Sequence, residues 1–169
     1  MIHRRATTTP RRVPRTGWLL PLLLVGSALT GCKNSTSDKD LKFVNSTRAI
    51  ELLEVRTGAF GSRGTRVNVW LDPRTLAEYE KAHIPGAISM PFPRIEQDAK
   101  SRLINAATII VYDTDWDDVI GVSASKRLME LGYSEVYTLR GGIEAWVADG
   151  HGVASGPPTE AIENQAGRR

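Results

Sequence analysis

Thr108–Tyr133, TIIVYDTDWDDVIGVSASKRLMELGY, sets a β-branched and aromatic run beside an amphipathic one and joins them through a loop of acids. Thr108 to Tyr112 has the composition of a strand buried on both faces, as in a parallel sheet. From Ile120 the apolar residues Ala124, Leu128 and Leu131 recur at helical spacing, and Gly132 is the expected stop. A strand that feeds a helix through a loop points the helix's first N–H groups into that loop, a place that ordinarily receives an anion. Here the loop brings anions of its own, at Asp113, Asp115, Asp117 and Asp118. The loop is therefore the expected site of whatever this chain does.

Working outward, the same alternation repeats. Lys42–Val44 reads as a short strand, and Ser46 as the N-cap of a helix to about Val55 with Ala49, Ile50 and Leu53 inward. Thr57–Arg66 is a Gly-rich loop, and Val67–Leu71 is a strand. Thr75 and Glu78 form a capping box for a helix expected to bury Leu76 and Tyr79. His83–Ala87 is a Pro-Gly turn, Ala87–Met90 a short strand, and Pro93 opens a helical turn to about Ala99. Beyond the central stretch, Val136–Leu139 is a strand, Arg140-Gly141-Gly142 a turn, and a last helix packs through Trp146 and ends near Gly150. Strands alternating with helices predict an α/β fold, a three-layer sandwich with a mostly parallel central sheet and helices on both faces. His151–Arg169 shows no periodicity and is expected to be disordered.

The amino end has a different composition. Residues 1–32 carry five arginines and no acid, then an apolar run from Trp18 to Leu29, then Leu29-Thr30-Gly31-Cys32. That run is short for a bilayer span and reads as a signal-peptide core, with an uncut anchor as the alternative. Leu29–Cys32 resembles the bacterial lipobox, which implies cleavage before Cys32 and acylation of its sulfur. Residues 33–40 would be a polar tether. Without residues 1–32 the chain has 17 basic against 19 acidic side chains, so its net charge of +3 becomes −2. The charge argument for a nucleic-acid partner disappears.

Three further segments resemble the rhodanese family. VNVWLDPR (67–74) is similar to its strand followed by Asp-x-Arg, here Asp72 and Arg74. LAEYEKAHIPGAISMP (76–91) resembles its Glu-Tyr…His-Ile-Pro-Gly-Ala segment, with His83 and Gly86. LMELGYSEVYTLRGGIEAW (128–146) resembles its final helix, strand and Gly-Gly…Trp signature, with Gly141, Gly142 and Trp146. The likeness spans about 41–150 and implies the rhodanese sandwich. It also implies a cysteine after the central strand that carries sulfur as a persulfide, yet Asp113 stands there. No cysteine follows Cys32. Against the family's usual form the loop is about two residues longer, and it has no Arg or Lys before Lys126.

A carboxylate cannot form a persulfide, and four of them repel thiosulfate or phosphate. The loop Asp113, Thr114, Asp115, Trp116, Asp117, Asp118 is thus expected to be a former active site with no catalytic residue, no cofactor and no metal. One or two of its acids would cap the helix beginning near Val119. Asp113-x-Asp115 also suggests the nucleophile pair of haloacid dehalogenase-type phosphatases, but only 56 residues follow it. As a calcium loop it has Asp118 and Ala124 where glycine and glutamate are wanted. His83 is read as structural, Asp72 and Arg74 as an ion pair, and Trp70 and Trp146 as core. Trp116 either folds back on the domain or stands exposed as an anchor for a partner or cationic ligand.

Three functions remain open from the sequence. The leading one is a catalytically inactive rhodanese-like lipoprotein of the cell envelope, held to membrane lipid through Cys32 on the extracytoplasmic side and binding an envelope protein or ligand at Asp113–Asp118. The second is a sulfurtransferase-type enzyme with non-standard chemistry. The third is a purely structural lipoprotein.

Overall fold

The computed structural model describes residues 36–54 and 66–158. The expected signal peptide, Cys32, the Gly-rich loop before Arg66 and the last eleven residues lie outside them. Asp72 determines how the central strands end. It closes β2 (Val67–Asp72), is fully buried, and holds the buried Arg74 two residues on through a two-pronged pair, Nε to Oδ1 3.0 Å and Nη2 to Oδ2 2.6 Å. Arg74 Nη2 also donates to the Ala82 carbonyl at 2.8 Å, and its guanidinium lies 5.4 Å over the Tyr112 ring. The expected ion pair is thus a buried brace between two strand ends.

β4 (Ala106–Val111) lies at the centre, between β2 and β5 (Val136–Leu139); β1 (Phe43–Val44) and β3 (Ile88–Ser89) are the edges. The order is β1-β5-β4-β2-β3 and every pairing is parallel. Side chains alternate across a strand, so β4 divides its residues between two cores. Ile110 and the adjoining Tyr112 pack with Ala49, Leu52, Tyr79, Ile143 and Trp146. These come from α1 (Ser46–Glu54), α2 (Leu76–Lys81) and α5 (Gly142–Ala148). Ile109 and Val111 face the opposite way, toward Ile95, Ala99, Ala124 and Leu128 of α3 (Ile95–Arg102) and α4 (Ile120–Glu130). The expected three-layer sandwich is present, its sheet wholly parallel. Trp70 and Trp146 meet edge to face at 5.3 Å in the first core. None of the helices among the described residues is long and apolar enough to cross a membrane.

Several expectations need correction. Leu76 is 47% exposed despite the capping box of Thr75 and Glu78, because α2 has fewer than two turns and buries only Tyr79. Leu131 is also exposed. It stands on the turn leaving α4, where Gly132 takes φ +96° and Tyr133 packs back instead, its hydroxyl donating to the Ala99 carbonyl at 2.9 Å. Ser46 is the first residue of α1 and not its cap; Asn45 Oδ1 accepts from Arg48 N at 2.9 Å. The inward face includes Leu52, which helical spacing from Ala49 also permits, and Ile50 and Leu53 are half-buried.

The segment expected to be a polar tether contains a 3₁₀ turn, Asp38–Asp40, closed by a capping box on Ser37. The early part of the supposed disordered tail is folded. Ala154 forms an antiparallel bridge with His83, with N–H to carbonyl distances of 2.9 Å both ways, and Gly156 N donates to Glu80 O at 2.8 Å. Trp146 Nε1 donates to Gly152 O at 2.9 Å, and the His151 ring stacks on Trp146. Backbone pairing orders these residues, and it leaves no periodicity in side-chain type. Removing one partner of a buried pair strands the other charge, so Asp72→Ala should cost roughly 3–5 kcal/mol in urea unfolding. Arg48→Ala, which breaks the exposed pair with Glu51, should leave the midpoint almost unchanged.

Candidate functional site at the carboxyl edge of the sheet

Because all five strands are parallel, their carboxyl ends gather on one edge, where the loops to α1, α4 and α5 meet. The β4–α4 loop occupies the middle. Asp113, 4% exposed, follows Tyr112 directly and drops between two helix starts. Its Oδ2 accepts from Gly121 N in the first turn of α4 at 3.3 Å. Its carbonyl accepts from Ile143 N of α5 at 2.8 Å, and the Thr114 carbonyl takes Glu144 N at 3.0 Å. The turn into α5 is therefore bonded to the loop backbone.

Glycines make this approach possible. A Cβ on Gly121 would lie 2.8 Å from Asp113 Oδ2, and one on Gly142 would lie 2.7 Å from Oδ1. Gly141 and Gly142 also take φ of +77° and +58°, the left-handed region that side chains disfavour. The Gly-Gly pair of the sequence is a seat for the loop.

The loop's other donors turn inward as well. Asp115 Oδ1 accepts from Asp117 N (2.8 Å) and Asp118 N (3.0 Å). Asp118 Oδ1 accepts from Ile120 N (2.9 Å), and its Oδ2 from Thr114 N (3.4 Å). With Gly121, five N–H groups at the mouth of α4 are satisfied by three side chains of the same loop. Asp118 thus bonds the first N–H of the helix, as one of the loop acids was expected to. Burial, together with the neighbouring Asp118, pushes the Asp113 carboxyl up to about 7, against the Gly121 N–H, which favours its ionised form.

Trp116 folds back on the domain and is exposed at the same time. The indole is 67% exposed, yet it lies over Gly141, whose added Cβ would come within 2.6 Å of Cε2. His83 is buried in a structural setting, stacked on Tyr79 at 3.8 Å with Nδ1 2.8 Å from the Tyr79 carbonyl. Gly86 takes φ +79° in the turn before β3. Tyr112, read only as a strand residue, has a further role. Its hydroxyl accepts from Ile84 N at 3.1 Å, and burial beside Asp72 pushes the phenol up. Among the described residues no group of three or more histidine, cysteine, aspartate or glutamate side chains is arranged to hold a metal ion.

Comparison with known proteins agrees with this architecture. Residues 61–149 match the family model of the rhodanese-like domain. The thiosulfate sulfurtransferase GlpE of Coxiella burnetii is 30% identical over 77 residues, which cover 46% of this chain and 69% of that protein. A protein of Bacillus halodurans superposes with a TM-score of 0.55 at 27% identity, covering 69% of this chain and 79% of its own. A rhodanese-related protein of Thermoplasma volcanium, at 18% identity, shares the fold with a TM-score of 0.53 over 67% of this chain and 97% of that one.

The raised Asp113 carboxyl has a definite sign in stability. Between its ordinary value and about 7 the folded state holds a proton that the unfolded chain has lost, so stability falls as pH rises through that window and levels off above it. Asp113→Asn cannot ionise. Its urea-unfolding stability relative to the unsubstituted chain should improve by roughly 2.5 kcal/mol between pH 5 and pH 8.

Proposed function

The chain belongs to the family of rhodanese-like domains, and on that premise we propose that it is a catalytically inactive member, anchored to a membrane as a lipoprotein, whose altered loop is a binding face. One observation carries the inactive reading. The N–H groups that a persulfide or oxyanion would need are occupied by Asp113, Asp115 and Asp118. Asp113 stands directly after the central strand, at the position where the resemblance calls for cysteine, and residues 33–169 contain no thiol. A carboxylate there can neither accept nor release sulfane sulfur.

The relatives named thiosulfate sulfurtransferases support the scaffold, and chemistry does not follow from scaffold alone. What the loop offers instead is a surface. Trp116 and Val119 are strongly exposed, and a cavity of about 410 Å³ reaches the loop at Asp118 and Ile120, lined also by Pro73, Phe92 and Pro93, with Glu78 and the Asp72-paired Arg74 among its walls. Apolar walls beside carboxylates suit a partner presenting apolar and basic side chains. In this reading residues 1–31 are a signal peptide, the acylated Cys32 and residues 33–40 tether the domain of 41–150, and the protein resides on the extracytoplasmic side of the cell envelope. The charge pattern of residues 1–32 and the lipobox-like Leu29–Cys32 support that placement.

Two measurements test the two halves separately. Sulfur transfer from thiosulfate to cyanide should stay at the uncatalysed rate for the unsubstituted chain, and turnover would overturn the inactive reading. Asp113→Cys alone should also be nearly silent, because Asp115 and Asp118 keep four of the five donors. Combining it with Asp115→Ala and Asp118→Ala should raise the rate. Cells fed labelled palmitate should label the chain, and Cys32→Ser should abolish the label; equal labelling of both would remove the lipid anchor.

A further inference from the structure

A second concavity opens at the same edge of the sheet, one strand over from the acidic loop. It measures about 820 Å³, within the range of small-molecule sites, and lies beyond the carboxyl ends of β1 and β5. Its walls come from the β1–α1 turn and the start of α1, from Arg140, from α5 and the residues after it through Ala145, Asp149 and His151, and from Trp116. Two of the walls are aromatic, Phe43 and Trp116, and both side chains are exposed, at 41% and 67%.

Its charge differs from that of the neighbouring loop. Arg48 and Arg140 line it against one carboxylate, Asp149. Arg48 is paired with Glu51 at 2.8 Å, whereas Arg140 has no carboxylate partner among the described residues and lies 4.8 Å over the Phe43 ring. α1 begins in the same wall, with the positive end of its dipole. Ser46, which starts that helix, is 1% exposed, and its Oγ has no hydrogen-bond partner among the described residues. A buried hydroxyl without a partner is uncommon, and here it belongs to a cavity wall that also holds a guanidinium with no carboxylate partner among the described residues.

We propose that this cavity is a binding site for a small organic anion with a flat apolar body. The anionic group would sit on the Arg140 guanidinium and the ring against Trp116. An inorganic oxyanion would leave the aromatic walls without a contact, and an organic cation would meet two guanidinium groups. The site is separate from the proposed loss of catalysis and does not depend on Asp113. It also gives Trp116 two neighbours of opposite charge, acids on its loop and arginines across the cavity.

The test uses the full chain with two probes of one shape, 2-naphthoate and 2-naphthylmethylamine, followed by tryptophan fluorescence and by ligand-observed NMR. Naphthoate should bind saturably with a Kd in the millimolar range or tighter, and the amine should not saturate. Arg140→Gln and Trp116→Ala, both at exposed positions, should each weaken naphthoate about tenfold while leaving the circular dichroism unchanged. Asp117→Asn should not weaken it. Absence of saturable naphthoate binding, equal binding of the amine, or full affinity in both variants would each overturn the proposal.

Discussion

Backbone N–H groups at the mouth of a helix must find acceptors, and in this protein the loop that leads into α4 supplies its own. The parallel sheet sends β4 straight at the amino end of that helix, leaving several donors converging on a small space. Such a space is suited to an anion from outside. Three aspartates two to five residues apart take that role, each accepting from a backbone N–H within eight residues of itself. The result is an occupied cradle.

That occupancy explains the arrangement around it. Asp113 fits only because Gly121 and Gly142 have no side chains, and the α5 turn is bonded to the loop through Ile143 and Glu144. The carboxyl is buried with Asp118 beside it, so charge there is disfavoured even though the Gly121 N–H favours it. The buried Asp72–Arg74 brace holds the neighbouring strand end, and the Tyr112 ring touches that brace on one side while its chain leads directly into Asp113 on the other. Loop, helix mouth and brace therefore form one continuous piece of packing. Trp116 faces solvent from it, between the acids and the arginines.

Much of this was legible in the residues. The β-branched run of β4, the capping box at Thr75 and Glu78, the Gly-Gly turn and the strand at Val136–Leu139 all carry local chemistry that dictates local geometry. What misled was the inference of burial from type. Leu76 and Leu131 are apolar and helically spaced, yet one sits on a helix too short to bury it and the other on the turn beyond a helix end. His151–Pro158 looked unstructured because its order comes from a backbone bridge to His83 and a carbonyl offered to Trp146, neither of which depends on side-chain pattern.

Sequence alone determined that strands and helices alternate, that the acidic loop follows the central strand, and that no thiol lies beyond Cys32, because propensity, patterning and chemical identity are properties of the chain as written. Tertiary structure decided where those acids point. The carboxylates of Asp113, Asp115 and Asp118 bond amides of the loop and of the first turn of α4, and Asp113 is confined by glycines 8 and 29 positions away. It also decided that Phe43, Arg48, Trp116 and Arg140 share one cavity. Contacts between residues so far apart in the chain are set by the sheet order, which puts β1 and β5 side by side, and no local signal encodes that adjacency.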